Sequence, residues 1–351
     1  MADILGFLLA LVLTASMVPA LARQARAWGL VDAPGERKTH HGEVPVVGGL
    51  AMGLAFLAAS GIVAALAAAP ASPSPALVGA IAVTLIGGVL DDRHEIGSAP
   101  KFAFQIAAAL LVAAAGDVLL THLGQLMSPN LFTLGRFALP LTVFALVGVM
   151  NAFNMADGLD GLAGALAVAA CINFGIAASL AGHAPEFGVI CVAAGAALGF
   201  LMHNTRSPWR ARAAVFMGDT GSLLLGLLLG WFAVRLAMAQ RPALAPITAV
   251  WIIALPIGDT VTLMIRRLLR GRNPFRGDRE HLHHILVAAG LTEGKAVALM
   301  FALSLAVGFA ALAAGWAGVP DYALFYLYMT ALLAWGLSAE HLCRKFKLRN
   351  K

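Results

Sequence analysis

Two adjacent carboxylates, Asp91 and Asp92, close an apolar run in Gly87-Gly88-Val89-Leu90-Asp91-Asp92-Arg93-His94-Glu95. An acid at membrane depth costs about 2.5–3.5 kcal/mol. Marking the edge of a bilayer needs one charge, so a pair points to chemistry. Asn151, Asn154, Asp157 and Asp160 recur every three residues just before Gly161, a spacing that draws one slowly rotating stripe at helical pitch. Carboxylate and amide oxygens are what a hard cation such as Mg²⁺ takes, and Gly158 and Gly161 let a ligand or backbone come close. Asp219 stands in Gly218-Asp219-Thr220-Gly221-Ser222, where it suits either a helix cap or a metal ligand.

Basic side chains supply the other half. The stretch from Arg266 to His284 is rich in arginine and ends in His281, His283 and His284. These histidines lack the i, i+4 spacing of a helical zinc pair, and beside arginine and glycine they suit phosphate or sugar contact. Arg37, Lys38 and His40 lie in a Pro/Gly-containing loop that reads as a phosphate contact or as a structured basic loop. Asp259 follows Pro256-Ile257-Gly258 inside an apolar run, where it either completes the acidic site or faces an internal polar pocket; Asn173 suits an interhelical hydrogen bond.

The elements that must carry these groups are membrane helices. The 351 residues are 60% hydrophobic and 12% charged, with mean hydropathy +0.84, against roughly 25% charged in soluble domains. Apolar runs near the roughly 17–25 residues that a bilayer requires read as Ile4–Leu21, Val46–Ala69, Ala76–Leu90, Phe102–Leu120, Phe137–Val149, Leu162–Ala181, Phe187–Met202, Ser222–Met238, Ala245–Ile265, Ala296–Ala317 and Tyr322–Ala339. The expected fold is all-α and polytopic, with about eleven transmembrane helices in one domain spanning 1–351. Alternation then puts every Lys and Arg except Arg136, Arg235 and Arg241 on one side. By the positive-inside rule that side is cytoplasmic, the N-terminus is outside, and the C-terminus is inside. The net charge of +6 is therefore orientation charge and phosphate contact, with no call for nucleic acid. Asp3 precedes the first run and Arg23 and Arg26 follow it, the wrong polarity for a cleaved signal. Cys171, Cys191 and Cys343 read as packing residues or free thiols. Gly49–Gly53, Gly195–Gly199 and Gly226–Gly230 allow close helix packing, with a homodimer seam as the alternative.

A cytoplasmic face of Asp, Asn, Arg, Lys and His at a lipid surface suits phosphoryl transfer from a soluble donor to a membrane lipid. A divalent metal and basic groups must offset the repulsion of two phosphates. No activated serine or cysteine arrangement is present. A transporter would place ionisable groups near the midplane, where only Asp259 is a candidate. A scaffold would leave the carboxylates and histidines without a purpose.

Leu90-Asp-Asp-Arg93, Asn151-Ala-Phe-Asn-Met-Ala-Asp-Gly-Leu-Asp-Gly161, Val215-Phe-Met-Gly-Asp219, Ala249-Val-Trp-Ile-Ile-Ala-Leu-Pro256 and Asp278-Arg-Glu-His-Leu-His-His284 occur in this order. In that order the chain resembles, over nearly its whole length, the polyprenyl-phosphate N-acetylhexosamine-1-phosphate transferase superfamily. Its likeness is to the bacterial branch that uses UDP-N-acetylglucosamine. The Asp-Arg-x-His-x-His-His form is unlike the peptidoglycan branch that takes UDP-MurNAc-pentapeptide. The resemblance implies an enzyme of the bacterial inner membrane, acting at the first membrane step of O-antigen or other envelope glycan synthesis. It implies transfer of GlcNAc-1-phosphate from UDP-GlcNAc to undecaprenyl phosphate, with release of UMP and with Mg²⁺ or Mn²⁺. Glu95 stands where the family pattern has Asp, so a modified N-acetylhexosamine is the alternative donor. Carried over by motif, Asp219 and Asn154 hold the metal. Asp91 is the base, with Asp92 beside it. Asp157 and Asp160 line the nucleotide pocket, Asp157 among the catalytic set. Lys101, Arg279, His281, His283 and His284 engage donor phosphates and sugar, and Arg37, Lys38 and His40 support the lipid phosphate.

Overall fold

In lipid a backbone can satisfy its N–H and C=O groups only on itself, so each long apolar run folds as a helix. The computed structural model describes residues 1–32, 42–67, 73–115, 118–206, 210–273 and 279–348. In chain order it forms α1 (Ala2–Trp28), the short antiparallel pair β1 (Val31–Asp32) and β2 (Val44–Pro45), then α2 (Gly48–Ala67), α3 (Pro75–His94), α4 (Ser98–Leu110), α5 (Ala138–Ala156), α6 (Leu162–Leu180) and α7 (Ala184–Asn204). There follow α8 (Gly218–Ala237), α9 (Pro246–Ile252), α10 (Ala254–Leu269), α11 (Leu282–Ala288), α12 (Glu293–Trp316) and α13 (Asp321–Lys345). Among the described residues ten helical stretches are long and apolar enough to cross a membrane, and α9 with α10 makes an eleventh if counted as one broken span. The all-α polytopic expectation is met.

The run Ala245–Ile265 departs from expectation as a continuous helix. It breaks after Ile252, and α10 leaves α9 at 88°. Pro256 has no N–H to give the carbonyl of Ile252, and its ring crowds that carbonyl, so the ladder of α9 cannot continue. After the bend α10 turns its polar residues inward: Asp259, Thr262, Arg266 and Arg267 are buried. Val261, Ile265, Leu268 and Leu269 face out, Leu269 at 82% exposure. This is the reverse of a soluble amphipathic helix and fits a segment bathed in lipid.

The glycine motifs pack helices of this chain against one another. A Cβ at Gly195 would lie 2.2 Å from the Phe7 carbonyl oxygen, and one at Gly199 would lie 2.5 Å from that of Leu11, so α7 runs directly against α1. Gly49 would meet the backbone of Gly221 at 2.1 Å, and Gly226 that of Met150 at 2.4 Å. The positions that suggested a dimer seam are thus occupied from within. Asn173 makes the expected interhelical bond, donating to the Leu305 carbonyl at 3.2 Å.

α8 is the axis. It is buried almost all round, as expected of a helix apolar on every face, and α2, α3, α5 and α6 pack on it. The C-terminal ends of α3, α5 and α7 and the N-terminal ends of α4, α6 and α8 meet at one end of the bundle. Arg235, in the last turn of α8, marks the other end, where it donates to Glu186 at 2.9 Å.

Candidate active site

The carboxylates gather where helices end. Asp91 and Asp92 occupy the last turns of α3, which stops at Glu95 in a left-handed conformation, φ 48°. Lys101 lies in the first turn of α4, just after the bend at Gly97. Its ammonium is 3.2 Å from Asp91 Oδ2 and in direct contact with Asp219 Oδ2. Asn154, in the last turn of α5, donates its Nδ2 to Asp219 Oδ1 at 2.7 Å and to Ser222 Oγ at 2.9 Å. Four helix ends thus bring Asp91, Lys101, Asn154 and Asp219 together from separate sequence motifs.

Asp92 does something different from its neighbour. Its Oδ1 accepts the backbone N–H of Asp219 at 2.7 Å. Its Oδ2 accepts the Thr220 hydroxyl at 2.6 Å and the Thr220 N–H at 3.2 Å. An anion across the first turn of a helix satisfies orphan donors and complements the dipole. Gly218 makes the approach possible: its φ is +70°, and a Cβ there would lie 2.4 Å from Asp92 Oδ2. The family resemblance implies a place for Asp92 beside the base. The structure gives it the task of seating the helix that carries Asp219.

The stripe from Asn151 to Asp160 is not one helical face. α5 ends at Ala156, so Asp157 and Asp160 belong to the following turn. Asn151 is tied to Gln105 of α4, donating at 2.6 Å. Asp160 Oδ2 accepts from Arg206 Nε at 2.7 Å and from the Ala213 N–H at 3.1 Å. Arg206 also pairs with Glu293 at 2.7 Å, so the turn is strapped to α12. Asn204 accepts the Gly161 N–H at 2.6 Å. Burial, and then the negative charges of Asp92 and Asp160, push the Asp157 carboxyl up to about 7.

The histidines stand against this turn. A Cβ on Gly158 would lie 2.2 Å from His283 Nε2, so that ring packs on the backbone beside Asp157. His283 is buried, and its Nε2 has no hydrogen-bond partner. Burial, then His284 and His281, hold its imidazole well below the usual histidine range. His281 and His283 are stacked at 5.4 Å, and His283 and His284 lie 4.2 Å apart. Arg279 is exposed, as is Glu95. Arg37, Lys38 and His40 lie outside the described residues.

Several partners escaped the sequence reading. Thr220 and Ser222 had a signal, as hydroxyls in the first turn after Gly218-Asp219. Arg206 shows only orientation charge in the sequence, and Asn204 shows no signal there. Glu280 is an acid inside a basic run, with no local signal of its partners. It is buried and accepts from Arg270 at 2.8 Å and Arg266 at 3.3 Å.

A cationic ammonium already bridges Asp91 and Asp219. With its Nδ2 committed, Asn154 keeps Oδ1 as an acceptor. The oxygen-only set is of the kind that Mg²⁺ or Mn²⁺ takes. Among the described residues no three His, Cys, Asp or Glu side chains form a metal cage. Mg²⁺ is commonly bound through one or two carboxylates together with water and substrate phosphates, so the residues present fit.

Comparison with known proteins bears on what such a site belongs to. Residues 74–237 match the family model described as Glycosyl transferase family 4. The chain is 35% identical over 315 residues to the undecaprenyl-phosphate alpha-N-acetylglucosaminyl 1-phosphate transferase of Escherichia coli O157:H7, covering 89% of this chain and 84% of that one. The chain belongs to glycosyl transferase family 4. The transferase of the same name from Yersinia pestis is 33% identical, with 88% of this chain and 83% of the relative covered. That from Haemophilus influenzae is 35% identical, with 78% and 76% covered. The stretch matched by the glycosyl transferase family 4 model takes in α3 to α8, and hence Asp91, Lys101, Asn154, Asp157 and Asp219. The similarity to these transferases covers far more of the chain than that stretch.

Proposed function

We propose that this family member transfers N-acetylglucosamine 1-phosphate from UDP-GlcNAc to undecaprenyl phosphate and releases UMP. The observation that carries the reading is the convergence of Asp91, Lys101, Asn154 and Asp219 from four helix ends at one end of the bundle. There a soluble nucleotide and a lipid headgroup can meet. The names of the relatives support the same acceptor and transferred group.

In this reading an oxygen of the lipid phosphate attacks the phosphorus that bears the sugar. The bond from that phosphorus to the bridging oxygen breaks, and UMP leaves with the electron pair. Asp91 takes the proton of the lipid phosphate. Lys101 offers positive charge to the transferring phosphoryl group, where charge accumulates. Asp92 keeps the first turn of α8 in place, and with it Asp219. Asp157 and Asp160 border the nucleotide, and His281, His283, His284 and Arg279 meet the donor phosphates and sugar. Arg37, Lys38 and His40 support the lipid phosphate. Asp219 and Asn154 would hold Mg²⁺ or Mn²⁺, whose bound chemistry is to offset the charge of the donor pyrophosphate.

The same reading sets the site at the cytoplasmic face of the bacterial inner membrane, with the N-terminus outside. The one-sided distribution of Lys and Arg supports it. The test is UMP release by the purified protein from a panel of UDP-sugars, with and without undecaprenyl phosphate. UMP from UDP-GlcNAc only when the lipid is present bears the proposal out. Release without lipid, or none with it, overturns the proposal. Preference for another UDP-N-acetylhexosamine overturns the donor.

A further inference from the structure

We propose that Asp259, a carboxylate of the broken span, is a positioning residue for the nucleotide-sugar donor, acting through the ring of His281. The proposal rests on the transferase reading of the site above and extends it to a residue outside its contact set.

Asp259 is 7% exposed, within a bundle where an unpaired carboxylate is costly. Both of its oxygens are committed to the segment that opens α11. Oδ1 accepts the Leu282 N–H at 2.9 Å, and Oδ2 lies 2.7 Å from His281 Nδ1. An ionised carboxylate can only accept, so the proton of His281 resides on Nδ1, and Nε2 is directed away from Asp259. A carboxylate behind a histidine commonly fixes tautomer and ring plane together.

The consequence reaches beyond one ring. His281 stacks on His283 with planes 10° apart, His283 meets His284, and His283 lies on Gly158 beside Asp157. The setting of His281 is thus passed along a row of rings to the turn that borders the acidic cluster. α11 spans only Leu282–Ala288, too short to fix these rings unaided. α10 holds the segment at a second point, where Arg266 donates to the Glu280 carbonyl at 3.2 Å and Arg266 and Arg270 donate to its carboxylate. Because that grip is independent of Asp259, the segment stays docked when Asp259 is changed.

Asp259→Asn is the discriminating variant. Its Oδ1 still accepts from Leu282, while its amide nitrogen faces His281 Nδ1 as a donor and drives the ring proton to Nε2. UDP-GlcNAc binding, read by calorimetry on the purified full-length protein with Mg²⁺, is expected to weaken about tenfold, and the donor KM to rise in parallel. The KM for undecaprenyl phosphate is expected to stay within about twofold and the thermal midpoint near wild type, a split that a merely structural role does not produce. In a His281→Ala background the same substitution is expected to change donor binding little, because the two residues act as a unit.

Unchanged donor affinity in Asp259→Asn, equal effects on both substrates, or a full additional effect on top of His281→Ala would overturn the assignment. If Asp259→Asn does not accumulate in membranes, Asp259→Ala carries the same test, since it too removes the acceptor behind His281 Nδ1. Unchanged donor affinity in it is likewise fatal. A wild-type protein that binds UDP-GlcNAc but releases no UMP counts against the transferase reading, and weaker binding by Asp259→Asn in that case still supports the positioning role.

Discussion

The ammonium of Lys101 is in direct contact with the carboxylate of Asp219, joining the first turn of α4 to the first turn of α8, and the same ammonium is 3.2 Å from Asp91. A lysine in that place competes with any divalent cation drawn to the same oxygens, and it is also a charge available to the donor phosphates.

The two roles separate in Lys101→Gln. Removing the competing charge is expected to lower the Mg²⁺ concentration for half-maximal activity by about three- to tenfold. Loss of phosphoryl stabilisation is expected to reduce kcat by about a hundredfold. Metal titrations of UMP release measure both. A higher Mg²⁺ requirement would mean that Lys101 helps to assemble the metal site. Asp219→Ala is expected to abolish activity at any metal concentration while the protein still inserts.

Asp92 is expected to act through structure more than through proton transfer. Asp92→Ala removes three hydrogen bonds at the start of α8. Loss of a helix cap costs about 0.5–2 kcal/mol, so the thermal midpoint in detergent falls by a few degrees and activity falls with it. The acidic limb of the pH–rate profile is expected to remain in the residual activity. Its disappearance would make Asp92 a base.

The raised Asp157 carboxyl makes a signed prediction for stability. Its ordinary value is 3.8 and its folded value about 7, so between these the folded state holds a proton that the unfolded state has lost. Its contribution is fully present below about pH 4 and is lost as the pH climbs through 7. Asp157→Asn, which imitates the protonated acid, is expected to be more stable than wild type at pH 8 by a few degrees and to match it near pH 4. Thermal scans at several pH values read this directly. Greater stability of wild type at pH 8 would show that Asp157 is held ionised.

Gly158 and His283 form a pair that tests the contact between the histidines and the acidic turn. In Gly158→Ala the new methyl falls 2.2 Å from His283 Nε2, and a buried ring has little room to yield. Overpacking of this kind costs about 1–3 kcal/mol. Adding His283→Ala is expected to recover most of the lost stability while leaving donor affinity poor. If the double variant is no more stable than Gly158→Ala, the two groups are not in contact.

What could be read from the residues alone followed from their types. Apolar runs gave the helices, and the paired acids, the Asn/Asp series and the histidines named the segments that now meet. The partner of each group was harder to see. Nothing local in Asp91-Asp92 says that the second acid faces an N–H of α8, because that donor becomes a neighbour only when α3 and α8 pack through Gly88 and Gly218. The even spacing of Asn151 to Asp160 suggested one helical face, but a helix that stops at Ala156 sends its last two members elsewhere. Pro256 did carry a signal for the break in the Ala245–Ile265 run. Its surroundings are so apolar that hydropathy outweighed it.

α10 hides its charges and shows its hydrocarbon, so its fold depends on the solvent around the protein. Stripping annular lipid with detergent removes the medium that Leu268 and Leu269 require, while α8, buried almost all round, loses least. Extraction should therefore silence the enzyme well before it denatures it, and reconstitution into nanodiscs should return activity to a sample whose spectrum never changed.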